Sequence, residues 1–291
     1  PSEQAGEQRL QKILAVAVYW HYRKSARAAA SGTRLIKSNV LLIGSTGTGK
    51  TLMCETLSKF LGVPFVTADA ASLAQSEYVN HEIEAILQRL LDKADGDVAK
   101  AERGVIFIDE IDKLKSGPGA ARAASAESVQ HALLKIMEGA PVRLREGRYL
   151  DTTHVLFICG GAFSGLDDIL RETQAYGYIS LSGADDPAVL RRLNAQVKPT
   201  DLRAYGLIPE FVGRLPIVAR LHDLTREMLV RIMVEPRDSI VNQYREILRE
   251  DGVELAIEQA VFEQIADLAL EYKAGARSLR GIFESLMTDV L

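Results

Sequence analysis

The apolar run Val40-Leu41-Leu42-Ile43 passes directly into Gly44-Ser45-Thr46-Gly47-Thr48-Gly49-Lys50-Thr51. Strand, glycine loop and helix in that order are the signature of a phosphate-binding P-loop, and they commit the surrounding chain to layers of helix and parallel sheet. The glycines let successive backbone N–H groups curl around an oxyanion without obstruction by Cβ. A helix opening at Lys50 points its positive end at the same place. Lys50 is then suited to the β- and γ-phosphates of ATP and the Thr51 hydroxyl to Mg²⁺. The competing reading, a glycine-rich turn that binds nothing, is disfavoured by its position directly after an apolar strand.

Further strand-length apolar runs stand at 64–68, 105–108, 155–159 and 216–221, with helix-period segments between the earlier ones at 10–27, 50–61, 81–94, 127–138 and 201–205. This alternation predicts an α/β fold, a parallel sheet covered by helices on both faces. After Leu221 the pattern turns almost wholly helical, at 227–234, 236–249, 258–272 and 276–291, with one short strand candidate at 253–257. Thr225-Arg226-Glu227 reads as a helix start and Gly275 as a break. The expected organisation is therefore a large α/β domain over 1–221 and a small helical domain over 222–291. Two stretches, 116–125 and 173–187, read as long loops, which compact domains keep for function or leave disordered.

The run Val105-Ile106-Phe107-Ile108-Asp109-Glu110 carries two carboxylates to the C-terminal end of an apolar strand, where open α/β sheets bind ligands. Asp109 is suited to hold Mg²⁺, and Glu110 to orient and deprotonate an attacking water. A strand end capped by solvated charge is the alternative, weakened by the P-loop upstream. A residue in the place of Glu110 favours hydrolysis over mere nucleotide binding.

Several further stretches resemble the ATPase portion of the ClpX family of AAA+ protein unfoldases. They include Leu14-Ala15-Val16-Ala17-Val18-Tyr19, Ile108-Asp109-Glu110-Ile111-Asp112-Lys113, Phe157-Ile158-Cys159-Gly160-Gly161-Ala162-Phe163, Gly206 to Pro216, and Gly275-Ala276-Arg277-Ser278-Leu279-Arg280. The related HslU unfoldases are the nearest competitor. The resemblance implies an AAA+ core and a homohexameric ring that uses ATP and Mg²⁺ to thread unfolded or tagged proteins through a pore, with a ClpP-like peptidase as partner. It implies that Arg214 is an arginine finger acting on the neighbouring subunit's nucleotide, and that Arg277 senses nucleotide from the helical domain. It places Tyr78-Val79 in the loop that grips substrate; a packed tyrosine at a helix start is the plainer alternative.

This chain also departs from the family pattern. Glu77 and Asn80 replace the glycines flanking the pore tyrosine, and Gln4-Ala5 replace an apolar pair expected against adenine. The basic segment 138–151, with Arg143, Arg145 and Arg148, is shortened, and Tyr176-Gly177-Tyr178 stands where an Ile-Gly-Phe docking loop is expected. Unfolding chemistry is expected to be intact and peptidase docking altered. The competing functions are a remodelling ATPase without a peptidase, a slowly hydrolysing nucleotide-switched assembly module, and a DNA-processing AAA+ motor.

Composition narrows these. Of 291 residues 47% are hydrophobic and 25% charged, and no apolar run approaches the ~20 residues of a membrane helix. The net charge of −4 gives no broad footprint for nucleic acid. Two cysteines, Cys54 and Cys159, make neither a four-ligand zinc site nor a disulfide scaffold, and fit packing residues in a reducing cytoplasm. Beginning at Pro1 and ending within an apolar periodic pattern, the chain is expected to be a portion of a longer one.

Overall fold

The computed structural model describes residues 12–24, 37–115, 120–176, 196–237 and 239–290. These form two compact units, one of residues 1–43 and 51–220, the other of residues 44–50 with 221–291.

The first unit is built on a five-stranded parallel sheet. In chain order its strands are β1 (Val40–Ile43), β2 (Phe65–Asp69), β3 (Val105–Asp109), β6 (Leu156–Gly161) and β7 (Ile217–Arg220), and in space they run β2-β3-β6-β1-β7. A short antiparallel hairpin, β4 (Pro141–Arg143) and β5 (Tyr149–Asp151), lies apart from it. Every residue of β1 and β6 is buried, as is all of β3 before Asp109, whereas β2 at the edge alternates. That explains why the central strands read as unbroken apolar runs: helices cover both faces, so neither face selects polar residues. Cys54 and Cys159 are free and buried, and burial pushes both thiols up to about 12, which makes them inert packing groups.

The helix over residues 12–24 turns Leu14, Ala17, Val18 and His21 inward. The buried His21 ring donates from Nε2 to His154 O (2.9 Å). Burial, opposed by that hydrogen bond and reinforced by Lys37, pulls its pKa down from 6.5 to about 4. An unfolded chain takes up this proton near pH 6.5 and the folded chain only near 4, so stability falls as pH drops through that window. His21→Gln retains an N–H donor without the titration. It is expected to lose about 2 kcal/mol less than the parent between pH 7 and pH 5 in urea unfolding, and equal losses would contradict a neutral buried ring.

Apart from the glycine loop, the second unit is helical: Arg226–Val234, Ile240–Glu250, Gln259–Glu271 and Arg277–Val290. Thr225 caps the first by accepting from the Met228 N–H (3.3 Å), and Ser239 caps the second through the Asn242 N–H (3.3 Å). Leu229, Met233, Phe262, Ile265, Leu279 and Phe283 are central to its core. The strand expected at 253–257 is absent. Helix Ile240–Glu250 closes with Gly252 at φ 76° and the Val253 N–H on Leu248 O (2.9 Å), after which Leu255 and Ile257 pack onto the core with no strand alongside. The alternation there was real, but a strand also requires a partner.

The loop expected at 116–125 is likewise corrected, because helix Ala120–Glu138 already begins within it, on a run of four alanines and one arginine. Residues 116–119 lie outside the described residues. Helix Leu166–Tyr176 similarly takes up the start of the stretch expected as a loop at 173–187, and its remainder from 177 lies outside them.

Candidate functional site

The glycine loop leaves the C-terminal end of β1 and enters helix Lys50–Leu61. Gly47 and Gly49 both take left-handed torsions, φ 83° and 84°. Their needs differ. A Cβ on Gly47 would stand 2.3 Å from Ala274 O, while one on Gly49 would meet nothing within 4 Å, so the first glycine is required by packing and the second by torsion alone. Ser45 and Thr46 are exposed, and the Thr48 hydroxyl donates to Ser45 O (2.8 Å), tightening the loop. Lys50 is buried, 7% exposed as a residue, and its ammonium donates to Gly44 O (2.6 Å) and Ser45 O (3.0 Å). A cation folded over the carbonyls of such a loop has the charge and reach to turn onto a phosphate, so the residues fit a nucleotide.

In the first unit, β1 and β3 flank β6 and all three run parallel, which brings their C-terminal ends to one edge of the sheet. There the Thr51 hydroxyl donates to Asp109 Oδ2 at 3.5 Å. This long contact between a hydroxyl and a carboxylate suits a pair that would share hydrated Mg²⁺. The other Asp109 oxygen, Oδ1, accepts from the Glu110 N–H (2.9 Å). Glu110 itself is exposed in the left-handed region, at φ 56° and ψ 33°, a conformation that costs a non-glycine residue about 1 kcal/mol or more. The neighbouring strand makes room for the Phe107 ring on β3: a Cβ on Gly160 would lie 2.6 Å from it.

Arg214 ends the short helix Pro209–Gly213, with its side chain 45% exposed. Its Nε (2.9 Å) and Nη2 (2.6 Å) both approach Glu138 Oε1. Arg277 opens helix Arg277–Val290 and is exposed, and in that same unit the Ala276 N–H donates to Gly47 O (3.2 Å). The residue expected to sense nucleotide therefore follows directly on one bonded to the glycine loop.

Tyr78 precedes helix Val79–Lys93 and is 66% exposed, touched edgewise by the His81 ring. It is not a packed tyrosine. Val79 is half-buried and packs on the core instead. Gln4-Ala5, expected near adenine, and the docking segment at 177–178 lie outside the described residues, as do the side-chain contacts of Tyr176.

The sequence pattern assigns no role to four polar residues that lie on or bond to the segments carrying Glu110 and Arg214: Asn39, Asp112, Gln130 and Glu138. Asn39, Asp112 and Gln130 are buried. Asp112 accepts from the Phe163 N–H (3.3 Å), and Asn39 donates to Arg214 O (3.1 Å) and Met137 O (3.4 Å). A polar residue in phase with an apolar helical face, as Gln130 is with Val129, Leu133 and Met137, was the available signal.

Comparison with known proteins is consistent along the whole chain. Residues 36–218 match the family model described as AAA domain (Cdc48 subfamily), and residues 224–291 match the C-terminal, D2-small domain, of ClpB protein. Proteins named ATP-dependent Clp protease ATP-binding subunit ClpX are similar to nearly all of it. The protein from Bacteroides thetaiotaomicron is 41% identical over 98% of this chain and 73% of its own length. That from Porphyromonas gingivalis is 40% identical over 98% and 74%, and that from Azotobacter vinelandii 41% identical over 98% and 70%.

Proposed function

This chain belongs to the ClpX family of AAA+ ATPases, enzymes that hydrolyse ATP, and we propose that it is a protein unfoldase working as a homohexameric ring. In this reading the loop Gly44-Ser45-Thr46-Gly47-Thr48-Gly49 and Lys50 hold the ATP phosphates. Thr51 and Asp109 hold Mg²⁺, which supplies charge neutralisation there. Glu110 takes a proton from the attacking water, Arg214 reaches the nucleotide of the neighbouring subunit, and Arg277 reports its state to the helical domain. No helix among the described residues is long and apolar enough to cross a membrane. A cytoplasmic location is part of the same proposal and rests on the likeness to the ClpX proteins. The organisation into a domain over 1–221 and another over 222–291 belongs to the same proposal.

The observation that carries the unfolding half is Tyr78, a large aromatic held two-thirds exposed at a helix start where nothing in its own unit buries it. Such a ring grips passing polypeptide through apolar area without reading its sequence. A peptidase partner is extended to this chain from the name of its relatives, with the tyrosines at 176 and 178 altering the docking surface. The test is ATPase rate with an unfolded protein and, separately, with DNA, followed by unfolding of a tagged, stable substrate by Tyr78→Ala. Stimulation by protein alone is expected, with the variant keeping basal ATPase activity and losing at least tenfold in unfolding rate per ATP. Stimulation by DNA, or unchanged unfolding by Tyr78→Ala, would refute the reading.

A further inference from the structure

Helix Ala120–Glu138 carries an amide in the middle of its buried face. Gln130 is 0% exposed, yet both ends of its side chain are satisfied: Nε2 donates to Leu114 O (2.8 Å) and Oε1 accepts from the Ile208 N–H (2.9 Å). The two partners fix the orientation, because a carbonyl only accepts and an amide N–H only donates. A methionine of similar size would fill the volume without either bond, and a carboxylate would oppose Leu114 O.

The partners matter for where they sit. Leu114 closes the turn Ile111–Leu114, which begins immediately after Glu110. Ile208 precedes Pro209 at the start of the short helix that Arg214 ends. The far end of the same long helix holds Arg214 a second time, through the Glu138 carboxylate on its guanidinium and through Asn39, which bridges Met137 O and Arg214 O. One helix thus spans from the turn behind the catalytic carboxylates to both ends of the segment that presents the arginine.

We infer that Gln130 is a positioning residue for Arg214, fixing the finger a subunit offers its neighbour against the turn that follows its own Asp109 and Glu110. The inference rests on the proposed reading of Arg214 as a finger acting in trans. A finger contributes only when its fork meets the phosphate oxygens, and displacement by about 1 Å costs on the order of a hundredfold in rate.

The test uses full-length rings of Gln130→Met. Binding of a fluorescent ATP analogue is expected to be unchanged and ATPase activity to fall about 10- to 100-fold. Mixing then separates positioning from damage. Gln130→Met keeps its own site, so with Lys50→Ala subunits, whose sites are dead and fingers sound, activity should recover; with Arg214→Ala subunits it should not. Wild-type activity of Gln130→Met, or no recovery with Lys50→Ala, would overturn the inference. The control is Arg214→Ala mixed with Lys50→Ala: if that pair fails to recover, the trans reading of Arg214 falls first, and this inference with it. Should Gln130→Met fail to bind nucleotide, Gln130→Asn, which keeps the amide one methylene short, is subjected to the same mixtures and read the same way.

Discussion

Glu110→Gln is expected to bind ATP as tightly as the parent and to turn it over at least 10²- to 10⁴-fold more slowly, the usual contribution of a positioned general base. The amide has nearly the size of the carboxylate but does not accept a proton from water. Structural damage is a poor alternative explanation for such a loss. Glu110 is exposed, its backbone N–H rather than its side chain engages Asp109, and the left-handed torsion at φ 56° is unchanged by the exchange. Lys50→Ala makes the contrast. Its ammonium lies on the loop carbonyls and carries the charge intended for phosphate, so its loss should weaken nucleotide binding itself. Binding measured with a fluorescent analogue and turnover measured by phosphate release separate the two variants. Equal turnover by parent and Glu110→Gln would remove Glu110 from the mechanism.

The parts legible in the sequence are those whose physics is local. Val40–Ile43 and Leu156–Gly161 read as strands because both faces of each are covered, and the glycine loop reads as a phosphate cradle because its torsions demand particular residues. Thr51 and Asp109 are far apart in sequence, yet Asp109 ends β3 and Thr51 lies in the first turn of the helix that follows β1 and the glycine loop, places that a parallel sheet makes predictable, and they meet. What could not be read was pairing over distance. Nothing adjacent to Asn39 says that its amide will serve Arg214 O and Met137 O, nor does anything beside Gln130 name Leu114 and Ile208. The strand expected at 253–257 failed for the same reason in reverse: its alternation was local, but the partner it needed was not there. Where a glycine was required, the sequence did not say why. Gly47 and Gly49 look alike, and only the packing of Ala274 against the first distinguishes them.

Arg214→Ala is expected to lower ATPase activity by about a thousandfold or more, the scale on which arginine fingers act. Fold stability should hardly change, because the bond to Glu138 joins side chains 45% and 43% exposed and such pairs contribute roughly 0–1 kcal/mol. That contrast identifies the residue's role: a large loss in rate without a matching loss in unfolding midpoint excludes a merely structural ion pair. Arg214→Lys tests the geometry as well as the charge. The guanidinium presents a planar fork to phosphate oxygens and an ammonium does not, so lysine is expected to restore only a small part of the activity. Assignment to the neighbouring site is tested by mixing. In a closed ring of equal parts Arg214→Ala and Lys50→Ala subunits, each inactive alone, about a quarter of interfaces join a sound site to a sound finger if assembly is random. Activity near a quarter of the parent's is therefore expected if sites fire independently, and less if neighbours must act in turn. Mixtures no more active than either variant alone would mean that Arg214 serves its own subunit, and that its pairing with Glu138 is the resting arrangement of a residue acting in cis.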